Sequence, residues 1–127
     1  MSSLDYEKSF VEAFVKPEFK DRWFYMLATK KRRAKQLCRL YHHFDFTADI
    51  IERFKGSAES LATTLRLKGA LSEVYHISVI PSIDGRLLPF SVEECGYDAT
   101  VYILIPRKLV VFCDEYDLYI LENLSAG

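Results

Sequence analysis

Two side chains with metal-binding chemistry lie one helical turn apart in this sequence. Cys38 and His42 are four residues apart, so a helix would carry both on one face, and zinc binds both thiolate and imidazole. A structural zinc site takes four ligands, and no second pair at a fixed spacing supplies the other two. Cys38 and His42 are therefore the metal candidates of the chain, but we interpret them as packed residues. We predict neither a metal nor a cofactor.

A small enzyme with a cysteine nucleophile or a histidine base is a further possibility. Cys95 lies beside a predicted short helix, and His42 or His43 would serve as a base. The residues around Cys95 do not match the flanking pattern of a cysteine hydrolase, and the five glycines are scattered rather than gathered in a phosphate-binding loop. The sequence favours a non-catalytic protein and keeps this enzyme as an alternative.

Charge is unevenly distributed along a chain whose formal net charge is −1. Residues 16–39 contain nine Lys and Arg against two Asp and Glu, whereas residues 90–127 contain two against seven. A helix in the first range would present a basic face to an acidic protein or to the phosphates of a nucleic acid. The basic set that would form this face consists of Lys30, Lys31, Arg32, Arg33, Lys35 and Arg39.

The basic set has three interpretations. It is a solvated helix face balanced by the acidic strands, a surface for a protein partner, or a surface for nucleic acid. Domains dedicated to nucleic acids are usually strongly basic overall, whereas this chain has a pI near 6.3. We therefore predict a protein partner or self-association, and keep a nucleic-acid-associated factor as the alternative.

The segment 81–90 reads as a long loop that carries charge and apolar residues together. Arg86 lies beside Asp84, and the pair is a candidate anchor for an anionic group. The alternative is that Asp84-Gly85 turns the chain while Leu87, Leu88 and Phe90 tuck under a sheet.

Apolar spacings of three and four predict helices in the first half of the chain. One helix runs over residues 4–15. Residues 17–44 fit either one long kinked helix or two consecutive helices that meet near Thr29, and we favour two because about 27 residues exceed the usual helix length. A further helical turn or two is expected over 48–54. Ser57 is placed to cap another helix, and Gly69 is placed to end it in a left-handed conformation.

Alternating β-branched residues predict strands in the second half. They cover residues 74–80, 99–105, 109–113 and 118–121, with a brief helix after Ser91. The short connections between the last three strands require an antiparallel meander. The prediction is an α+β fold in which N-terminal helices pack on one face of a mainly antiparallel sheet of about four strands.

The length and composition fit one domain over residues 1–127, with a helical part at 4–70 and a sheet part at 72–124. Three widely spaced cysteines are not typical of a disulfide framework, and no apolar run approaches the roughly 18 residues of a membrane span. The N-terminus does not resemble a secretory signal. We therefore predict a non-catalytic protein-interaction or regulatory module of a bacterial cytoplasm, with no membrane partner.

Overall fold

The computed structural model describes residues 2–29, 33, 45–69, 73–90, 99–113 and 117–124. Helices precede most of the strands, which confirms the α+β prediction. The helices are α1 (Ser3–Phe14), a 3-10 turn (Pro17–Phe19), α2 (Lys20–Ala28) and α3 (Ala58–Leu67). The strands are β1 (Ile50–Arg53), β2 (Glu73–Ser78), β3 (Leu87–Pro89), β4 (Thr100–Ile105), β5 (Leu109–Cys113) and β6 (Leu118–Glu122).

The six strands form one antiparallel sheet in the order β1-β6-β5-β4-β2-β3. The predicted meander is the β4-β5-β6 part of it. The expected number of about four strands is corrected to six, because both edge strands lay in segments predicted otherwise. The helical turn expected over 48–54 is wrong: β-branched Ile50 and Ile51 lie in β1, which pairs with β6. Strand β3 lies inside the segment predicted as a loop.

Side-chain caps define where two of the helices begin. Ser2 caps α1: its hydroxyl accepts from the Asp5 N–H at 3.3 Å, and its own N–H donates to the Asp5 carboxylate at 3.1 Å. The Ser2 hydroxyl also donates to the Asp5 carboxylate at 2.9 Å, and the bonds that the Ser2 N–H and hydroxyl donate to this carboxylate lower the pKa of Asp5. The predicted cap of α3 is confirmed, since Ser57 accepts from the Ser60 N–H at 3.1 Å. Gly69 follows α3 with φ of +84°, the left-handed stop that the sequence indicates.

The helix that begins near Pro17 ends early. Pro17 opens the 3-10 turn, α2 ends at Ala28, and Thr29 has extended dihedrals of φ −106° and ψ 95°. The division near Thr29 therefore agrees with the two-helix prediction. The expected start at Lys30 and the short helix after Ser91 lie outside the described residues.

Helices cover both faces of the sheet, which corrects the expectation that they pack on one face. Helices α1 and α2 pack on the face that carries Tyr75, Ile77, Val101, Ile103, Val110, Phe112 and Leu121. Helix α3 packs on the opposite face with Leu61 and Leu65, against Val74, Tyr102, Leu104, Val111 and Ile120. Burial on both sides explains why β4 and β5 are apolar at nearly every position rather than at every second one.

An aromatic cluster joins α1 and α2 to the sheet. Phe46 lies at its centre, with ring centroids 5.5 Å from Phe10, 5.4 Å from Trp23 and 5.0 Å from Phe112. The edge-on arrangement with Phe10 and Phe112 is one that aromatic rings favour. Asp45 fixes the neighbouring backbone, because its carboxylate accepts from the Trp23 indole at 3.0 Å and its carbonyl from a main-chain N–H at 2.8 Å.

We expect Phe46→Ala to lower the free energy of unfolding by about 3–5 kcal/mol, because it empties the centre of this cluster. Leu67→Ala is the control, since Leu67 is 84% exposed and its truncation should cost less than about 0.5 kcal/mol. Urea unfolding followed by tryptophan fluorescence measures both. Equal losses in the two variants would contradict the central role of Phe46.

Candidate functional site

Arg33 is the member of the basic set that the structure describes, and its guanidinium contacts two carboxylates from distant parts of the chain. Its Nη1 and Nη2 donate to the two oxygens of Glu7, on α1, at 2.8 and 2.5 Å. Nη2 also donates to Asp84 Oδ1 at 2.9 Å. Nε lies 2.6 Å from Asp84 Oδ2, an ion-pair contact whose angle does not make a hydrogen bond. Arg33 therefore joins α1 to the turn between β2 and β3.

Strand β2 completes this arrangement from the sheet. The Tyr75 hydroxyl donates to Glu7 Oε2, and the Tyr6 ring stacks on the Tyr75 ring at 4.9 Å between centroids. The Ser78 N–H donates to Asp84 Oδ1 at 3.0 Å. We call Glu7, Arg33, Tyr75 and Asp84 the Glu7 cluster.

The Glu7 cluster is largely shielded from water. The side chains of Arg33, Glu7 and Asp84 are 12%, 10% and 19% exposed. Burial alone lowers the pKa of Arg33, but the hydrogen bonds and charges of the two carboxylates outweigh it and raise that pKa. Burial raises the pKa of Tyr75, and its bond to the Glu7 carboxylate and the charge of Glu7 raise it further.

The groups of the Glu7 cluster join α1 to the turn between β2 and β3, which is a structural role. An arginine guanidinium does not exchange a proton near neutral pH, so Arg33 is neither an acid nor a base here. The Tyr75 phenol stays protonated and donates a hydrogen bond to Glu7, so its oxygen is not an activated nucleophile. Each oxygen of Glu7 and Asp84 already contacts a donor or the guanidinium.

An apolar groove lies beside the Glu7 cluster, between α1 and α2. It has a volume of about 360 Å³ and is lined by Leu4, Glu7, Lys8, Phe24, Leu27 and Ala28. Each helix contributes residues at positions i, i+3 and i+4, which lie on one helical face. We call this cavity the α1–α2 groove. Its volume falls in the range of sites that hold small ligands or partner side chains.

The two loop candidates, Asp84 and Arg86, lie in different environments. Asp84 is in the Glu7 cluster, whereas Arg86 is exposed and its side chain forms no ion pair with any described residue. The Arg86 backbone pairs with β2, because its carbonyl accepts from the His76 N–H at 3.0 Å. An anion anchor built from both residues stays a prediction.

The other site residues singled out in the sequence lie outside the described residues. They are Lys30, Lys31, Arg32, Lys35, Arg39, Cys38, His42, His43 and Cys95. Their roles as a partner surface, a nucleic-acid surface, a metal site or an enzyme site remain predictions.

Sequence reasoning missed Glu7 as a site residue. Glu7 shares a helical face with Phe10, Val11 and Phe14, all of which are buried. A carboxylate on an apolar helical face is the pattern that indicates a buried polar partner.

Polar side chains are also buried on the face that α3 covers. The Ser78 and Thr100 hydroxyls lie 2.8 Å apart, and His76 Nδ1 donates to the Val74 carbonyl at 2.9 Å. Cys113 is buried and lies opposite Thr100 in the register. Among the described residues, no group of three or more His, Cys, Asp and Glu converges as a metal site.

We expect Arg33→Met to lower the free energy of unfolding by about 3 kcal/mol, because it leaves Glu7 and Asp84 as facing carboxylates with no cation between them. Arg86→Met, at an exposed arginine that forms no ion pair with any described residue, is the matched control and should change stability by less than about 0.5 kcal/mol. Urea unfolding measures both variants. A loss in Arg33→Met as small as that in Arg86→Met would contradict the electrostatic explanation.

Tyr75→Phe isolates the phenol bond to Glu7. At neutral pH we expect it to lower stability by about 1.5 kcal/mol, the contribution of a hydrogen bond to a charged group. Because the folded pKa of Tyr75 is raised, its stabilising effect is fully present below the unfolded tyrosine pKa of about 10 and is lost as the pH rises above it. The difference between wild type and Tyr75→Phe should therefore close by about 1.4 kcal/mol per pH unit above about 10. A difference that persists in alkali, measured by denaturant unfolding, would refute this assignment.

Comparison of the chain with protein-family models, with curated proteins and with solved structures finds no match. Within the described residues, no helix has both the length and the apolar character needed to cross a membrane. The Glu7 cluster and the α1–α2 groove are therefore the features on which a functional proposal rests.

Proposed function

We propose that the chain is a non-catalytic protein-interaction module whose α1–α2 groove receives an apolar segment of a protein partner. The observation that carries the proposal is the groove itself, an apolar cavity open between two helices. Clefts between helices are common binding positions, and an apolar segment inserted there would remove the exposed apolar surface from water.

The charged groups of the site support binding rather than catalysis. Of the Glu7, Arg33 and Asp84 side chains, Glu7 lines the groove, and Arg33 and Tyr75 already contact its two oxygens, so the Glu7 carboxylate offers little unused hydrogen-bonding capacity there. Recognition would therefore rest on apolar contact, with Leu4 supplying a side chain that is 63% exposed.

Lys8 gives the proposed partner a second feature. Lys8 lines the groove, is exposed and forms no ion pair with any described residue. A carboxylate near the apolar segment of the partner would complement it. This pairing would guide orientation and association rate more than affinity.

The proposed location is a reducing cytoplasm. The chain has three widely spaced cysteines, a pattern that is not typical of a disulfide framework and that fits a compartment where thiols stay reduced.

Leu4→Glu and Leu67→Glu test the proposal with one substitution at two exposed leucines. Leu4 lines the groove in the first turn of α1, where a carboxylate suits the helix dipole, so the fold should tolerate the change. Leu67 lies on α3, across the sheet. The partner is first captured on wild-type protein at two salt concentrations, identified by mass spectrometry and purified for titration calorimetry.

We expect Leu4→Glu to weaken binding of that partner about tenfold or more, and Leu67→Glu to change it by less than about twofold. Equal affinities of the two variants would exclude the groove as the docking site. Recovery of no partner at either salt concentration would count against the interaction module as a whole.

A further inference from the structure

The free edge of β1 is a backbone surface distinct from the α1–α2 groove. Strand β1 lies at one end of the strand order, so its outer edge has no strand partner among the described residues. All four of its residues are exposed, with Ile50 at 41% and Ile51 at 43%. An exposed edge with β-branched residues is a template for pairing with another strand.

The hydrogen bonds to β6 show which backbone groups point outward. The Phe54 N–H donates to the Leu118 carbonyl at 2.8 Å, so Phe54 belongs to a hydrogen-bonded pair of the β1–β6 ladder. Such pairs alternate along antiparallel strands, which places Glu52 and Ile50 in the next ones. The N–H and C=O groups of Ile51 and Arg53 therefore face away from β6.

The opposite edge of the sheet, formed by β3, offers fewer outward N–H donors. The His76 N–H donates to the Arg86 carbonyl, so by the same alternation Leu88 faces β2 and the backbones of Leu87 and Pro89 face outward. Proline has no N–H, which removes a donor from this three-residue edge. Within the described sheet, β1 is thus the edge that keeps all of its outward N–H donors.

We propose that β1 pairs antiparallel with β1 of a second copy of this chain, around a two-fold axis at Ile51. A two-fold axis perpendicular to the sheet keeps the same side chains on the same face in both copies. In such an antiparallel pair, the axis passes between one residue and the same residue of the second copy. An axis at Ile51 pairs the outward N–H and C=O of Ile51 with those of the second copy. The same register places Arg53 opposite Asp49 of the second copy, and Ile50 opposite Glu52 of the second copy.

Other registers are less favourable. An axis at Glu52 or at Arg53 places two like charges directly opposite each other, which destabilises a strand pair. An axis at Ile50 pairs Glu52 and Arg53 with residues that precede the partner strand. The Ile51 register avoids like charges. It also places Arg53, which forms an ion pair with Asp117 of its own chain at 2.5 Å, opposite the carboxylate of Asp49 in the second copy.

Asp49 is held at the end of β1 by two bonds within its own chain. Its carboxylate Oδ2 accepts from the Leu124 N–H at 2.8 Å, and its N–H donates to Asn123 Oδ1 at 3.0 Å. The C=O of Asp49 is then the acceptor for the Arg53 N–H of the second copy. Since only about five residues per copy pair, the dimer should be weak, with a dissociation constant of roughly 100 μM.

Ile50→Lys and Ile51→Lys test the register, because the two isoleucines are adjacent and almost equally exposed. Ile51→Lys places two lysines directly opposite each other and should weaken the dimer about tenfold. Ile50→Lys places lysine opposite Glu52 of the second copy and should change the dissociation constant by less than about threefold. Sedimentation velocity from micromolar to millimolar protein measures all three proteins, and circular dichroism confirms their folds.

Hydrogen exchange by NMR gives a second readout on wild-type protein. The Ile51 and Arg53 amides should exchange rapidly in dilute protein and become protected as concentration rises, whereas the Glu52 amide should be protected throughout. A wild-type protein that stays monomeric at millimolar concentration would overturn the proposal. So would equal weakening by the two lysine variants, which would indicate a general apolar contact instead of this register.

Discussion

Burial of β4 and β5 on both faces is the constraint that the rest of the structure satisfies. These central strands are apolar at nearly every position, and a sheet of that kind must be covered on each side. Helices α1 and α2 cover one face and α3 covers the other. Exposure is left to the sheet edges and to the outer helical surfaces, and those are the places where the α1–α2 groove and the free edge of β1 are found.

Polar groups enter this double-sided core only where partners satisfy them. The Glu7 cluster holds two carboxylates and one guanidinium, and the low exposure of these groups makes desolvation a substantial cost. The stabilisation that offsets it comes from bidentate geometry and from the Tyr75 hydroxyl. Because Glu7 also lines the α1–α2 groove, Arg33 and Tyr75 hold its side chain in one position, which would lower the entropic cost of binding the proposed partner.

Local patterns predicted the elements whose stability is local. The cap at Ser57, the stop at Gly69 and the strands with continuous apolar runs are encoded within a few residues, and all appear in the structure. Strand β1 is different, because its conformation depends on pairing with β6 about 70 residues later, and its own composition also suits a helical turn. Strand β3, three residues long and containing Pro89, carries too little alternation to distinguish it from a loop.

The candidate site was less predictable than the fold, because its contacts also join residues that are far apart in the sequence. Arg33 and Asp84 both stand out in the sequence, but they are 51 residues apart and nothing local indicates that they meet. Once the fold brings them together, Arg33 is satisfied by internal carboxylates, a role different from the outward basic face expected of its segment. The segment around Asp84 also has an internal role, because Arg33 links it to Glu7 on α1.

Among the described residues, the charge segregation along the chain therefore does not correspond directly to charge on the surface. Three bases from residues 4–70 pair with acids from residues 72–124, in the ion pairs Arg33–Asp84, Arg53–Asp117 and Lys68–Glu122. A fourth pair, Glu12–Arg107, joins the two parts in the opposite sense. Exposed pairs such as Arg53–Asp117 contribute little stability, so a competing charge on a second copy can exchange with them at little cost. These internal ion pairs leave Lys8, at the groove, without an ionic partner among the described residues. Arg53 is a cation that a second β1 strand could share in the proposed dimer.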